Sequence, residues 1–312
     1  MAKRYRVIVN PTAGGGKAKD SVPTIERLLG ERGLTFDIVH TEKPWHAASL
    51  ARRAAVEGYD VVVAVGGDGT SNEVINGLMQ ARQAGEGTPA LGVLCVGRGN
   101  DFAFAAAIPH DLEAGCAALF EDHRRAIDIG RVEGLTLPEG RFFANGVGIG
   151  FDAVVGFEAA KLKRLRGFPG YLVAALKTIF LYFRAPLVLI EHDAGTLELA
   201  SLMVSIMNGR RMGGGFMMAP KASAQDGFLD LCIAGQVSRP GIFTLIARFM
   251  KGTQEGHPAI TTLRTRHARV TARDGALPAH ADGETLCTEG TQLTIELLPR
   301  QIEVVFRGEH AT

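Results

Sequence analysis

Residues 66–73, Gly-Gly-Asp-Gly-Thr-Ser-Asn-Glu, set one carboxylate, Asp68, among Gly66, Gly67 and Gly69, where an apolar run passes into a helical pattern. Backbone N–H groups at a helix start are unpaired and partly positive, so such a loop suits phosphate binding. The glycines permit close backbone approach to a ligand, and Asp68 suits the organisation of a metal-bound water or a phosphate-linked network. Part of the motif has a plainer account. Thr70 and Glu73 have the spacing of a capping box, which starts a helix whatever the loop binds.

Two more glycine-rich loops follow apolar runs. Asn-Pro-Thr-Ala-Gly-Gly-Gly-Lys (10–17) fails the P-loop pattern because Pro11 and Ala18 stand at the wrong places, and no GxGxxG occurs. A P-loop NTPase and an ordinary Rossmann dehydrogenase therefore lose support. Gly14 to Gly16 with Lys17 still suit phosphate, although Lys17 also reads as a solvated loop charge. In the third loop, Cys-Val-Gly-Arg-Gly-Asn-Asp (95–101), Asn100 and Asp101 read as helix caps. His-Ala-Asp-Gly-Glu (280–284) contains Asp-Gly, a common turn pair. The nine histidines include no HExxH and no close cluster, which argues against a histidine-ligated metal.

The elements that must hold these loops are legible in two rhythms. Up to about residue 130, short apolar runs at 6–10, 35–41, 60–66 and 90–97 alternate with helical patterns. This predicts a parallel sheet covered on both faces, with ligands beyond the carboxyl ends of its strands. From about residue 125 onward, strand-like alternation punctuated by Gly, Asp and Asn predicts a mostly antiparallel second domain. One helical interruption spans 156–184, where Leu162, Leu165, Leu172, Leu176, Ile179, Phe180 and Phe183 recur at helical spacing, with a break at Pro169.

Bulk composition sets the remaining bounds. A chain of 312 residues has room for two cores. Its 34 Lys and Arg nearly balance 33 Asp and Glu, which removes the overall electrostatic case for a nucleic-acid partner. Cys95, Cys116, Cys232 and Cys287 lie far apart and read as reduced, buried thiols of a cytoplasmic protein. The N-terminus enters a strand at once and leaves no room for a secretory signal. The most apolar window, 171–190, contains Lys177, Arg184 and Pro186 and does not read as a membrane span.

Taken in order, GGDGTSNEVINGL, LGVLCVGRGNDFA, APKASAQDGFLDL and ADGETL resemble the diacylglycerol kinase catalytic-domain family, in particular its soluble bacterial YegS-like branch. The resemblance extends from VNPTAGGGKA to the final strands. It implies an N-terminal α/β domain at 1–129, like those of NAD kinases and lipid kinases, and a C-terminal, mostly antiparallel β-sandwich at 130–298. The segment 299–312 is expected to return to the first domain. The resemblance further implies ATP as phosphate donor, bound between the domains, and a lipid hydroxyl as acceptor. Asn10, Thr41 and Gly66, Gly67, Asp68, Gly69, Thr70, Ser71 and Asn72 match nucleotide-contacting positions, with Lys17, Glu73 and Arg98 beside them. Glu284 matches the proposed general base, and Asp282 would orient it or coordinate metal. Ser223, Asp226 and Phe228 resemble a structural Mg²⁺ site with main-chain oxygens from Ser and Phe. Arg98 departs from the family's threonine, so it is expected either to add a phosphate contact or to crowd the nucleotide.

The basic run at 161–167, with Lys161, Lys163, Arg164 and Arg166, precedes the leucine-rich stretch. Two readings stand side by side: peripheral docking of 161–183 on anionic lipid at the inner face of the membrane, or a packed amphipathic helix with a solvated basic face. An NAD kinase, which shares Gly-Gly-Asp-Gly-Thr, and a nucleotide or lipid sensor without turnover are the alternative functions. SNEVINGL and GRGNDFA favour the lipid-kinase branch. The acceptor lipid and the oligomeric state, a homodimer included, stay open.

Overall fold

A computed structural model describes residues 2–97, 99–134, 137–162, 168–181 and 185–308. The chain divides into two units, residues 1–128 with 299–312, and residues 129–298.

The first unit contains β1 (Arg4–Val9), α1 (Lys17–Asp20), α2 (Val22–Glu31), β2 (Thr35–His40), α3 (His46–Val56), β3 (Val61–Gly66), α4 (Asp68–Gln83), β4 (Ala90–Cys95), α5 (Asp101–Ala105), α6 (Leu112–Glu121) and the start of β5 (His123–Gly134). Its sheet runs β4-β3-β1-β2, all parallel, with Val7 level with Ile38 on one side and Val63 on the other. Every residue of β3 and β4 is buried, as expected of strands covered on both faces. On one face Ile25, Leu28 and Leu29 of α2 join Val7, Val63 and Leu94 in the core. Parallel pairing sends the loops after β1, β2, β3 and β4 to one edge, where the glycine-rich segments fall.

The second unit continues through β6 (Leu137–Phe143), β7 (Gly146–Gly150), α7 (Phe151–Lys161), α8 (Phe168–Leu181), β8 (Leu187–His192), β9 (Gly195–Met207), β10 (Leu229–Gly235), α9 (Arg239–Lys251), β11 (Ile260–Thr265), β12 (His267–Ala272), β13 (Leu277–Ala281), β14 (Glu284–Gly290) and β15 (Gln292–Phe306), whose far end belongs to the first unit. It is an antiparallel sandwich. The long strand β9 joins its layers, pairing through its first half with β8 and through its second half with β7 and β10. The core between the layers takes Val147, Ile149, Val204 and Ile206 from one side and Val188, Ile190, Val270 and Ile295 from the other.

The helical interruption is two helices. Pro169 lies at the second position of α8, a place where its missing N–H costs nothing, so the break precedes it. Of the basic run, Lys161 pairs with Glu158, whereas Lys163, Arg164 and Arg166, like Leu165, Phe183 and Arg184, lie outside the described residues. No helix among the described residues is long and apolar enough to cross a membrane. All four cysteines are free and buried.

Candidate active site

At the carboxyl edge of the first unit's sheet, Asn10 directly follows β1. Its Oδ1 accepts from the backbone and hydroxyl of Thr12 at 3.1 and 2.9 Å, while its Nδ2 donates to Thr70 Oγ1 at 3.1 Å. Thr41 sits beside it, its N–H donating to Val9 O at 2.9 Å. Asn10, Thr41 and the 66–73 loop are thus brought together by strand order. Lys17 is exposed at the start of α1, and Arg98 lies outside the described residues.

The loop after β3 is not started by a capping box. Helix α4 begins at Asp68, two residues before Thr70, and Gly67 stands at its N-cap position with no side-chain cap. Thr70, Ser71 and Asn72 are buried inside the helix. Glu73 reaches across instead, its Oε2 accepting from Ala47 N at 3.1 Å in the first turn of α3. Nor does Asn100 cap α5 with its side chain; it donates to Gly97 O at 3.2 Å. The N–H of Phe102, in the first turn of α5, is taken by Asp68 Oδ1 at 3.1 Å. Asp68 therefore ties two phosphate-suited loops together from one side chain.

Glycine is required here for backbone contact between those loops. A Cβ on Gly97 would lie 2.6 Å from the Gly67 Cα, and the Gly97 and Val96 N–H groups both donate to Gly66 O. These contacts hold the loops after β3 and β4 against one another through their backbones, and they are accounted for without a ligand.

In the second unit, Asp282 and Gly283 form the two-residue turn between β13 and β14, with φ of 47° and 85°. Positive φ at both central residues is the signature of a type I′ hairpin, for which Asp-Gly is a favoured pair. The Asp282 carboxylate accepts three backbone N–H groups of the β6–β7 connection: Asn145 and Gly146 on Oδ1 at 3.0 and 2.9 Å, and Ala144 on Oδ2 at 2.9 Å. Glu284, the first residue of β14, is exposed just beyond this anchor. Arg141 lies beside it, its guanidinium reaching Thr285 O at 3.4 Å. Burial pulls the Arg141 pKa below its ordinary value, and the charge of Glu284 acts in the opposite direction. Arg141 is a neighbour that sequence reasoning missed. It sits in an ordinary strand far from the turn in the chain, and only the β6–β14 proximity marks it.

The loop holding Ser223, Asp226 and Phe228 lies before β10. Asp226 Oδ1 accepts from Phe228 N at 3.1 Å, and Oδ2 is paired with the Arg264 guanidinium. Arg264 and Arg266 stand over the Phe228 ring at 4.7 and 4.9 Å. One carboxylate and two carbonyls are the hard oxygen donors that Mg²⁺ takes. They fit the ion in kind, with Arg264 as its competitor for Asp226. No group of three or more His, Cys, Asp or Glu side chains is placed to hold a metal among the described residues.

The profile of the diacylglycerol kinase catalytic domain matches residues 4–132, and that of the YegS C-terminal NAD kinase beta sandwich-like domain matches residues 145–306, more than half of the chain. The chain belongs to the diacylglycerol kinase catalytic-domain family. It is an enzyme of the lipid-kinase class, which uses a nucleotide phosphate donor. A diacylglycerol kinase of Staphylococcus aureus is 29% identical over 285 residues, 91% of this chain and 87% of that one. Among solved structures, a diacylglycerol kinase of Bacillus anthracis superposes with a TM-score of 0.73 at 21% identity, covering 99% of this chain and 98% of that one. An NAD kinase of Archaeoglobus fulgidus in complex with ATP superposes with a TM-score of 0.53 at 15% identity, covering 98% and 94%. At these identities the structural likeness establishes the fold: an α/β unit followed by an antiparallel sandwich.

Proposed function

We propose that this kinase transfers the γ-phosphate of ATP to the hydroxyl of diacylglycerol or a related lipid alcohol, with Glu284 as general base. The observation that carries the reading is the Glu284 turn: an exposed carboxylate on a two-residue hairpin whose other carboxylate is fixed by three backbone amides. A base must be held in place to take a proton as its oxygen attacks phosphorus, and phosphoryl transfer is mostly positioning and charge neutralisation. The acceptor class is supported by the relatives' names.

In this reading Asn10, Thr41, Lys17 and the backbone amides of 66–69 hold the phosphates. Thr70, Ser71, Asn72 and Glu73 keep that loop in shape from within. Asp68 holds the loop to α5 through its bond to Phe102 N and would organise the water around the phosphates. Asp282 positions Glu284. The acceptor proton passes to the Glu284 carboxylate, the hydroxyl oxygen bonds to the γ-phosphorus, and the bond to the ADP oxygen breaks. Mg²⁺ carried with ATP supplies charge neutralisation on the phosphates, and Ser223, Asp226 and Phe228 would hold a second, structural ion. Access to lipid comes from peripheral docking through 161–183.

The test is transfer of labelled γ-phosphate to a panel of micellar lipids and to soluble NAD by wild type and Glu284→Gln. Label in a lipid, lost by about 10²–10⁴-fold in the variant, is expected. Label in NAD, or full lipid activity in the variant, would overturn the assignment. Changing Lys161, Lys163, Arg164 and Arg166 together to Gln should weaken sedimentation with anionic vesicles; unchanged sedimentation removes the docking role.

A further inference from the structure

Alternation along β10 sends Leu229, Leu231 and Ile233 into the sandwich core and turns Asp230 and Cys232 to the opposite face. Strand β11 runs beside them, with Arg264 opposite Asp230 and Thr262 opposite Cys232. The segments 218–221 and 254–255 close over these residues around about 780 Å³ of empty space. Lys221 and Glu255, paired at 2.6 Å and both exposed, stand at the rim, so the cavity opens to solvent.

Two acceptor atoms of this lining are buried and unbonded. Gln254 is 2% exposed, and its Nε2 donates to Met217 O at 2.7 Å and to Met218 O at 3.0 Å. Carbonyls only accept, so the amide cannot be turned round, and its Oε1 is left without a donor. Asp230 Oδ2 is the second such atom. The Arg264 guanidinium opposite is committed to Asp226, and its Nε lies 3.6 Å from Asp230 Oδ1, beyond hydrogen-bond reach. Buried polar atoms without partners are uncommon in folded proteins, so two in one cavity call for a ligand that donates.

Charge narrows the ligand further. The lining sets Asp226, Asp230 and Glu255 against Lys221 and Arg264, which leaves one carboxylate uncompensated. A carbonyl, ether or phosphate oxygen brings no hydrogen to either acceptor. A water molecule satisfies both, but it occupies about 30 Å³ and leaves the charge standing. A quaternary ammonium carries the charge without an N–H. A primary ammonium supplies the charge and three donors together.

We infer that this cavity binds a primary ammonium group, its nitrogen donating to Asp230 Oδ2 and Gln254 Oε1 and its carbon stem lying toward Met218 and Pro220. A free amine and the head of an aminophospholipid share that chemistry. The site does not depend on the kinase reading.

The test uses the full chain. Binding of 1,4-diaminobutane is measured by calorimetry and by the shift of the thermal transition, with tetramethylammonium, which has no N–H, as the control. The diamine should bind and the control should not. Asp230→Asn should weaken diamine binding by about tenfold or more. Should that variant lose its thermal transition, Thr262→Trp, at an exposed position on β11, blocks the cavity and should give the same loss. Sedimentation with vesicles of phosphatidylethanolamine and of phosphatidylcholine separates the sources. A preference for the first that Thr262→Trp removes assigns the site to a lipid head, and diamine binding without that preference assigns it to a free amine. If diamine and tetramethylammonium act alike, or neither binds, the two oxygens hold only water and the inference falls. If Mg²⁺ alone reproduces the shift and Asp230→Asn abolishes it, they face the water shell of an ion, and the inference falls equally.

Discussion

Replacing Asp282 by Asn separates two roles that this carboxylate has been given, holding the turn and coordinating metal. The carboxylate takes three amides of the β6–β7 connection at 2.9–3.0 Å. Hydrogen bonds to a charged acceptor contribute about 1.5–3 kcal/mol each, and they are not additive. Asparagine retains one acceptor oxygen and turns an NH₂ toward amides that cannot accept. At least one amide is orphaned and the remaining bonds lose their charge, for a net loss of about 2–4 kcal/mol. For a unit the size of residues 129–298, that lowers the melting temperature by about 4–16 °C. The assay is thermal unfolding followed by far-ultraviolet circular dichroism, paired with kinase activity well below the transition. Because the same turn carries Glu284, kcat should fall while KM for ATP holds. A variant with unchanged thermal stability and abolished activity would refute the argument and assign Asp282 to the chemistry itself.

Gly97→Ala places a methyl 2.6 Å from the Gly67 backbone, which cannot yield, and should destabilise the first unit by about 1–3 kcal/mol in denaturant unfolding. Arg264→Gln removes the competitor for Asp226 and should increase the rise in melting temperature on adding Mg²⁺; an unchanged Mg²⁺ response argues against an ion at that loop. Burial pushes the thiols of Cys95 and Cys232 up to about 12 and that of Cys116 to about 11, so none should react with a thiolate-selective reagent at pH 8 until the protein unfolds. The same shifts set a pH dependence. The unfolded chain loses these protons from about pH 8.5 upward while the folded chain keeps them, so stability should fall progressively from about pH 8.5 toward 12.

The parallel sheet of the first unit was legible because β3 and β4 are buried on both faces, and only a continuous apolar run permits that. The antiparallel sandwich was legible through alternation, and its Asp282-Gly283 hairpin through a turn pair with a stereochemical reason. Caps were read less well. Thr70 and Glu73 have capping-box spacing, yet α4 starts two residues earlier and Glu73 serves α3. Local spacing cannot distinguish a bond within one helix from a bond to the next one. For the same reason Asp68, rather than Asn100, takes the first-turn amide of α5. Arg141 left no trace in the sequence, since only the fold brings it to Thr285.

The glycine loops show how much of a motif is scaffold. Gly66, Gly67 and Gly97 each have an internal reason to be glycine: Thr70 crowds Gly66, and the Gly67 and Gly97 backbones pack against one another. A phosphate is not needed to explain them. What the packing achieves is preorganisation, because a backbone already held by loop-to-loop hydrogen bonds incurs little ordering cost when a ligand binds beside it. Asp68 belongs to that scaffold through its bond to Phe102 N. Asp68→Asn retains an acceptor for Phe102 and removes the charge, so its effect on stability should be small beside that of Asp282→Asn, where charge meets three amides at once. Asp282 is thus a part of the fold on which the geometry of Glu284 depends.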